Sequence, residues 1–153
     1  FREQDSRLTA IGHGILIATA GLFSGCGGWQ GLLRPNEVTV ELVNDGDYAV
    51  EGQLFYDGSD SVTEEILQET GTQRWFALAP AGQSSFSVRC DNLRAIMVAD
   101  AELKIISQVG PFTSSGVLRD GDDFECGDRI IFTFDNSDAI VDFTVTASVQ
   151  SAR

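Results

Sequence analysis

The sequence predicts an all-β fold, an antiparallel β-sandwich that is immunoglobulin-like in the broad sense, preceded by an N-terminal hydrophobic export or anchor segment. Three observations carry this. From Glu37 onward, apolar and polar residues alternate with period two in several separate runs, the pattern of strands with one buried face. Gly, Asp, Asn and Pro residues punctuate those runs as turn formers do. Only one stretch has helical character. Many short strands with little helix bury their apolar faces by stacking as two sheets.

The first element is Leu8 to Cys26, LTAIGHGILIATAGLFSGC, a short apolar run that ends in small residues and a cysteine. Gly12, His13 and Gly14 interrupt it, and it falls short of the roughly 20 apolar residues that a spanning helix needs. Arg2 and Arg7 supply the positive start of a leader, offset by Glu3 and Asp5. The ending Phe23-Ser24-Gly25-Cys26 resembles the prokaryotic lipobox, with Phe23 where leucine is usual. That resemblance implies cleavage just before Cys26 and a lipid on its thiol. An uncleaved anchor helix and an ordinary cleaved leader are the two alternatives. The expected organisation is a signal peptide over 1–25, a tether over 26–36 and a sandwich domain over 37–153. The tether, GGWQGLLRPN after Cys26, reaches about 35 Å when extended, which keeps the domain near its membrane. Trp29, Leu32 and Leu33 in it are apolar enough to touch either bilayer or domain.

There are three cysteines, Cys26, Cys90 and Cys126, and an odd count in an exported chain leaves one thiol to be explained. Lipidation of Cys26 would leave Cys90 and Cys126 to pair, as an oxidising compartment allows. Two separate buried thiols are the alternative. The net charge is −13, and removing 1–25 leaves it unchanged, because two acids and two arginines go together. Such a surface repels nucleic acid and anionic headgroups and favours cationic partners, or serves solvation alone. Lys104 is the sole lysine among many acids, a balance similar to that of proteins from salt-loving archaea.

Val38, Val40 and Leu42 open the strand series. Segments 48–56 and 73–78 follow, then Phe86 and Val88, then 94–99 and 103–107 as two more fully buried strands. Ile130, Phe132 and Phe134 form the next, and Val141, Phe143 and Val145 the last. Opposed residues must share a face, which makes registers predictable. A hairpin across Pro80-Ala81-Gly82 pairs Phe76 with Phe86, with Gly82 in the left-handed position. A first hairpin pairs Leu42 with Val50 and Val38 with Leu54 around a loop of three or more residues or a bulge. A last hairpin pairs Phe132 with Val141, Ile130 with Phe143 and Phe134 with Ala139 around Asp135-Asn136-Ser137-Asp138. Ser61 through Gly71 is the one helical stretch, with Ser61 and Glu64 as a capping box and Gly71 as its stop. No Trp lies between Cys90 and Cys126, so the domain is not of antibody type.

Phe86-Ser87-Val88-Arg89-Cys90-Asp91 and Leu118-Arg119-Asp120-Gly121-Asp122-Asp123-Phe124-Glu125-Cys126-Gly127-Asp128, together with Ser24-Gly25-Cys26, make the chain resemble prokaryotic lipoproteins, bacterial or haloarchaeal, that carry a single small disulfide-bearing β-sandwich. The resemblance adds weight to a Cys90–Cys126 pair and attaches no activity.

Catalytic chemistry is sparse. His13, in the leader, is the one histidine, so the domain has no Ser-His-Asp or Cys-His arrangement and no histidine metal ligand. The expected role is a membrane-tethered, non-enzymatic binding or structural module of the prokaryotic cell envelope, in the periplasm or at the cell surface, with a protein or glycan partner. The alternative is a small exported hydrolase using two carboxylates. No cofactor is implied, with calcium the one candidate ion. Asp120, Asp122, Asp123, Glu125 and Asp128 offer hard oxygens in a short span but lack the EF-hand spacing, and a solvated turn beside a disulfide explains them as well. Trp75, Tyr48 and Tyr56 are candidates for a sugar-stacking platform, against the commoner fate of core or edge packing.

Overall fold

Two β-sheets face one another across a single apolar interior in the computed structural model, which describes residues 36–105, 110–136 and 142–152. Among the described residues the strands are β1 (Glu37–Asn44), β2 (Ala49–Asp57), β3 (Thr72–Leu78), β4 (Gln83–Arg89), β5 (Ala95–Lys104), β6 (Phe112–Thr113), β7 (Leu118–Arg119), β8 (Arg129–Asp135) and β9 (Thr144–Gln150), with one α-helix, α1 (Glu64–Thr70), and a 3-10 turn at Cys90–Asn92. Sheet A has the order β4-β1-β8-β9. Sheet B has the order β3-β2-β5-β6, with β7 also paired to β5. All pairings are antiparallel except β1 with β8, which run parallel. The β-sandwich class predicted from alternation is the fold observed.

Alternation sets which side chains enter the interior. Val38, Val40 and Leu42 of β1, and Ile130, Phe132 and Phe134 of β8, are buried from sheet A. Val50, Leu54, Leu78, Ile96, Val98 and Leu103 meet them from sheet B. Phe134 is the aromatic centre, with its ring 5.2 Å from that of Phe76 and 6.5 Å from that of Phe143. Burying a side chain of this size contributes about 2 kcal/mol relative to leaving it in water.

The expected partners of these strands differ from those found. Leu42 and Val50 both point inward, but from opposite sheets: the chain crosses between β1 and β2 instead of forming a hairpin. Phe76 and Phe86 are likewise split, Phe76 lying opposite Gly52 and Phe86 opposite Val40. The crossing from β3 to β4 is a tight turn in which the Gly82 amide donates to Ala79 O at 2.9 Å. Pro80 takes the first central position and Ala81, with φ of 52°, the second. The left-handed residue is thus Ala81 rather than Gly82. Buried Asn44 ties both crossings together, its Nδ2 donating to Tyr48 O (2.7 Å) and Ala79 O (2.9 Å).

The last pairing is an antiparallel neighbour as expected, but slipped. Phe132 lies opposite Ala147, Ile130 opposite Val149 and Phe134 opposite Val145. The slip is an even number of residues, so the inward set keeps its face. Phe143 precedes β9 and is buried in the core, while Ala139 and Val141 lie outside the described residues. The two strands expected at 94–99 and 103–107 are one strand, β5, as far as Lys104, continued through a bulge at Asp100 and Ala101 opposite Gly52, and residues 106–107 lie outside the described residues. Asp100 adopts φ of 49°, which Asp tolerates better than most residues. Gly52 is required there, because a Cβ would lie 2.9 Å from the Ala101 Cα. Ser114 and Ser115 mend the ladder beside the bulge, their hydroxyls accepting from Asp100 N (3.1 Å) and Val98 N (2.9 Å).

Helix α1 starts at Thr63, whose Oγ1 accepts from Ile66 N, rather than at the expected Ser61, and Gly71 closes it. Its fully buried Leu67 packs with Phe55, Ala95, Met97 and Ala99 on the outer face of sheet B. Arg119 fixes the segment leading into it, donating to Asp60 O (3.1 Å) and Val62 O (2.9 Å).

Candidate functional site

Two regions hold the candidate residues, and the fold separates them. The first is the loop between β7 and β8. Cys126 in this loop is bonded to Cys90, which directly follows β4, with their Cα atoms 5.5 Å apart. The disulfide therefore joins the edge strand of sheet A to the approach to β8, across the start of β1.

The carboxylates of this loop are divided among structural tasks. Asp120 pairs with Arg94 at 3.4 Å. Asp123 Oδ2 accepts from Arg119 N at 2.8 Å, closing a turn. Asp128 is buried and accepts from Glu125 N at 2.8 Å and Ala152 N at 3.2 Å. Asp122, Asp123, Glu125 and Asp128 line an open depression of about 360 Å³. Among the described residues, no group of three or more acidic, histidine or cysteine side chains is arranged to hold a metal ion. Gly121 and Gly127, with φ of 85° and 97°, give the loop its turns.

The second region is the outer face of sheet B. Trp75 is 67% exposed on edge strand β3, on the face opposite Phe76, as alternation requires. Tyr48 and Tyr56 pack partly buried against the core and do not join it. The three rings expected to form one platform are therefore split between two sides of the sheet. Residues that sequence reasoning passed over take their place. Gln53 is the cross-strand neighbour of Trp75, and its Oε1 accepts from Gln73 Nε2 at 2.5 Å. Glu51 lies opposite Glu102, and Lys104 bridges them, with Nζ 3.1 Å from Glu51 Oε2 and 2.7 Å from Glu102 Oε2. Hydrogen bonding to Glu102, then to Glu51, raises the Lys104 pKa above its ordinary value. Phe112 lies opposite Glu102 on β6, hence on the same face, and is 57% exposed. The signal for Phe112 was weak because β6 is two residues long, too short for alternation to register.

Cys26 and the 1–25 segment lie outside the described residues. No helix among the described residues is long and apolar enough to cross a membrane.

No protein family model matches the chain, and no curated protein matches it. Among solved structures it is similar to the T6SS lipoprotein TssJ1 from Pseudomonas aeruginosa, at 12% identity and a TM-score of 0.49 over 78% of this chain and 99% of that one. It is similar to the membrane-binding domain of pneumolysin at 11% identity and a TM-score of 0.45, covering 75% of this chain and 98% of that one. A protein from Eubacterium rectale shares 13% identity at a TM-score of 0.42, covering 77% of this chain and 94% of that one. Likenesses this distant leave function to the residues of this chain.

Proposed function

We propose that the chain is a non-enzymatic binding or structural module of a prokaryotic cell envelope, exported by residues 1–25 and tethered through a lipid on Cys26 in the periplasm or at the cell surface. The observation that carries this reading is the Cys90–Cys126 disulfide. It accounts for two of the three cysteines and leaves Cys26 as the third, at the end of the Ser24-Gly25-Cys26 pattern. A disulfide also suits an oxidising compartment outside the cytosol. The non-enzymatic part is supported by the placement of the sole histidine at position 13 and by the structural tasks of Asp120, Asp123 and Asp128. The net charge of −13 argues for partners other than nucleic acid.

The test is Cys26→Ala in the native host. The wild-type chain should fractionate with membranes and carry a mass increment on its N-terminal cysteine. The variant should be released or accumulate as a longer precursor. Unchanged mass and unchanged membrane retention would overturn the lipid anchor.

A further inference from the structure

We propose that the part of sheet B's outer face left uncovered by α1 binds an extended glycan without acidic groups, stacked on Trp75 and Phe112 and hydrogen-bonded between them. All three large apolar residues exposed among the described residues, Ile66, Trp75 and Phe112, lie on this side of the sandwich. Trp75 and Phe112 stand on β3 and β6, three strand spacings apart, about 14 Å across the sheet. Between them the floor is polar, built of Gln53, Glu51, Glu102 and Lys104.

That arrangement matches the chemistry of a sugar chain. A pyranose ring presents C–H groups on its faces and hydroxyls around its edge. Its faces stack on exposed aromatic rings, and its hydroxyls need donors and acceptors such as an amide, a carboxylate and an ammonium group. A protein hot spot calls for the reverse, an aromatic centre with a polar rim. Covering the Glu51–Lys104–Glu102 cluster with an apolar surface would strip its water without compensation. Charge narrows the ligand further. The floor holds two carboxylates and one ammonium, and Glu64, Glu65 and Glu69 of α1 lie on the same side. An acidic polysaccharide or an anionic bilayer is repelled there, whereas a neutral or amino-bearing chain is not.

The experiment is calorimetric titration of the full-length chain in detergent with four hexamers: glucosamine, N-acetylglucosamine, galacturonic acid and lysine. Saturable binding is expected for the first two, tighter for glucosamine, and none for galacturonic acid. Trp75→Ala should weaken glucosamine-hexamer binding at least tenfold, and Phe112→Ser several-fold. Thr146→Ala, on the opposite sheet, should leave it unchanged. Circular dichroism confirms that each variant is folded. Absence of saturable binding to either sugar hexamer overturns the proposal. So does binding that survives both aromatic substitutions, or hexalysine binding as tight as the glucosamine hexamer, which would mark charge attraction alone. Because binding is read on purified protein, it holds or fails separately from the anchor at Cys26.

Discussion

The two sheets bury their inner faces alike and treat their outer faces differently. The outer face of sheet A carries Thr39, Glu41 and Val43 from β1, Ser85 and Ser87 from β4, Ile131 and Thr133 from β8, and Thr144, Thr146 and Ser148 from β9. Among the described residues no helix covers it, and none of the large exposed apolar residues lies on it. Sheet B buries Phe55, Ala95, Met97 and Ala99 under Leu67 of α1 and leaves Trp75 and Phe112 open. Sheet B is thus held from both sides where α1 lies on it. Sheet A is held from one side and by the disulfide, which fastens its edge strand β4 to the loop entering β8. Similar alternation in sequence thus produces a solvated wall in one sheet and a packed, partly aromatic surface in the other.

The largest expected effect tests the dependence of sheet A on its covalent staple. Replacing Cys90 and Cys126 together with alanine opens a cross-link spanning 36 residues. In the chain-entropy model this costs about 4 kcal/mol. Urea unfolding of the oxidised protein and the double variant measures it. A loss under 1 kcal/mol would mean that sheet A holds β4 without the disulfide.

The second effect compares the outer faces directly. Leu67→Ala should cost about 3 kcal/mol, because Leu67 is fully buried between α1 and sheet B. Val43→Ala, half-buried on the outer face of sheet A, should cost about 1 kcal/mol or less. Equal losses would erase the distinction drawn between a covered and an uncovered sheet.

The smallest effect concerns the polar floor of sheet B. Lys104 has its pKa raised by hydrogen bonding to Glu102 and Glu51. A group whose pKa is raised by folding stabilises the native state below its unfolded value and loses that contribution as pH climbs through the folded one. The difference in melting temperature between the wild type and Lys104→Met should therefore hold steady from neutral pH to about the ordinary lysine value of 10.5 and shrink above it. Melting curves from pH 7 to pH 12 decide this. A difference that persists at the alkaline end would assign the role of Lys104 to its alkyl chain.

Much was legible from the sequence by itself, and for a local reason. Alternation fixed the face of Val40, Leu42, Phe76, Phe132 and Phe134, since side chains on a strand alternate whatever the neighbouring strand is. The helix at 64–70 was legible from its stop at Gly71, and the disulfide from the cysteine count. The tertiary structure alone decided which strand lies beside which. Alternation says that Leu42 and Val50 point inward, but the short loop between β1 and β2 serves a hairpin and a crossing between sheets equally well, and burial of both residues is satisfied either way. The same indifference moved β9 by an even step without exposing an apolar residue of β8. The outer surface was least legible. Trp75 could be placed on a face, but its neighbours Glu51, Glu102, Lys104 and Phe112 come from three other strands. Only pairing across β3, β2, β5 and β6 brings those side chains to one side of one sheet.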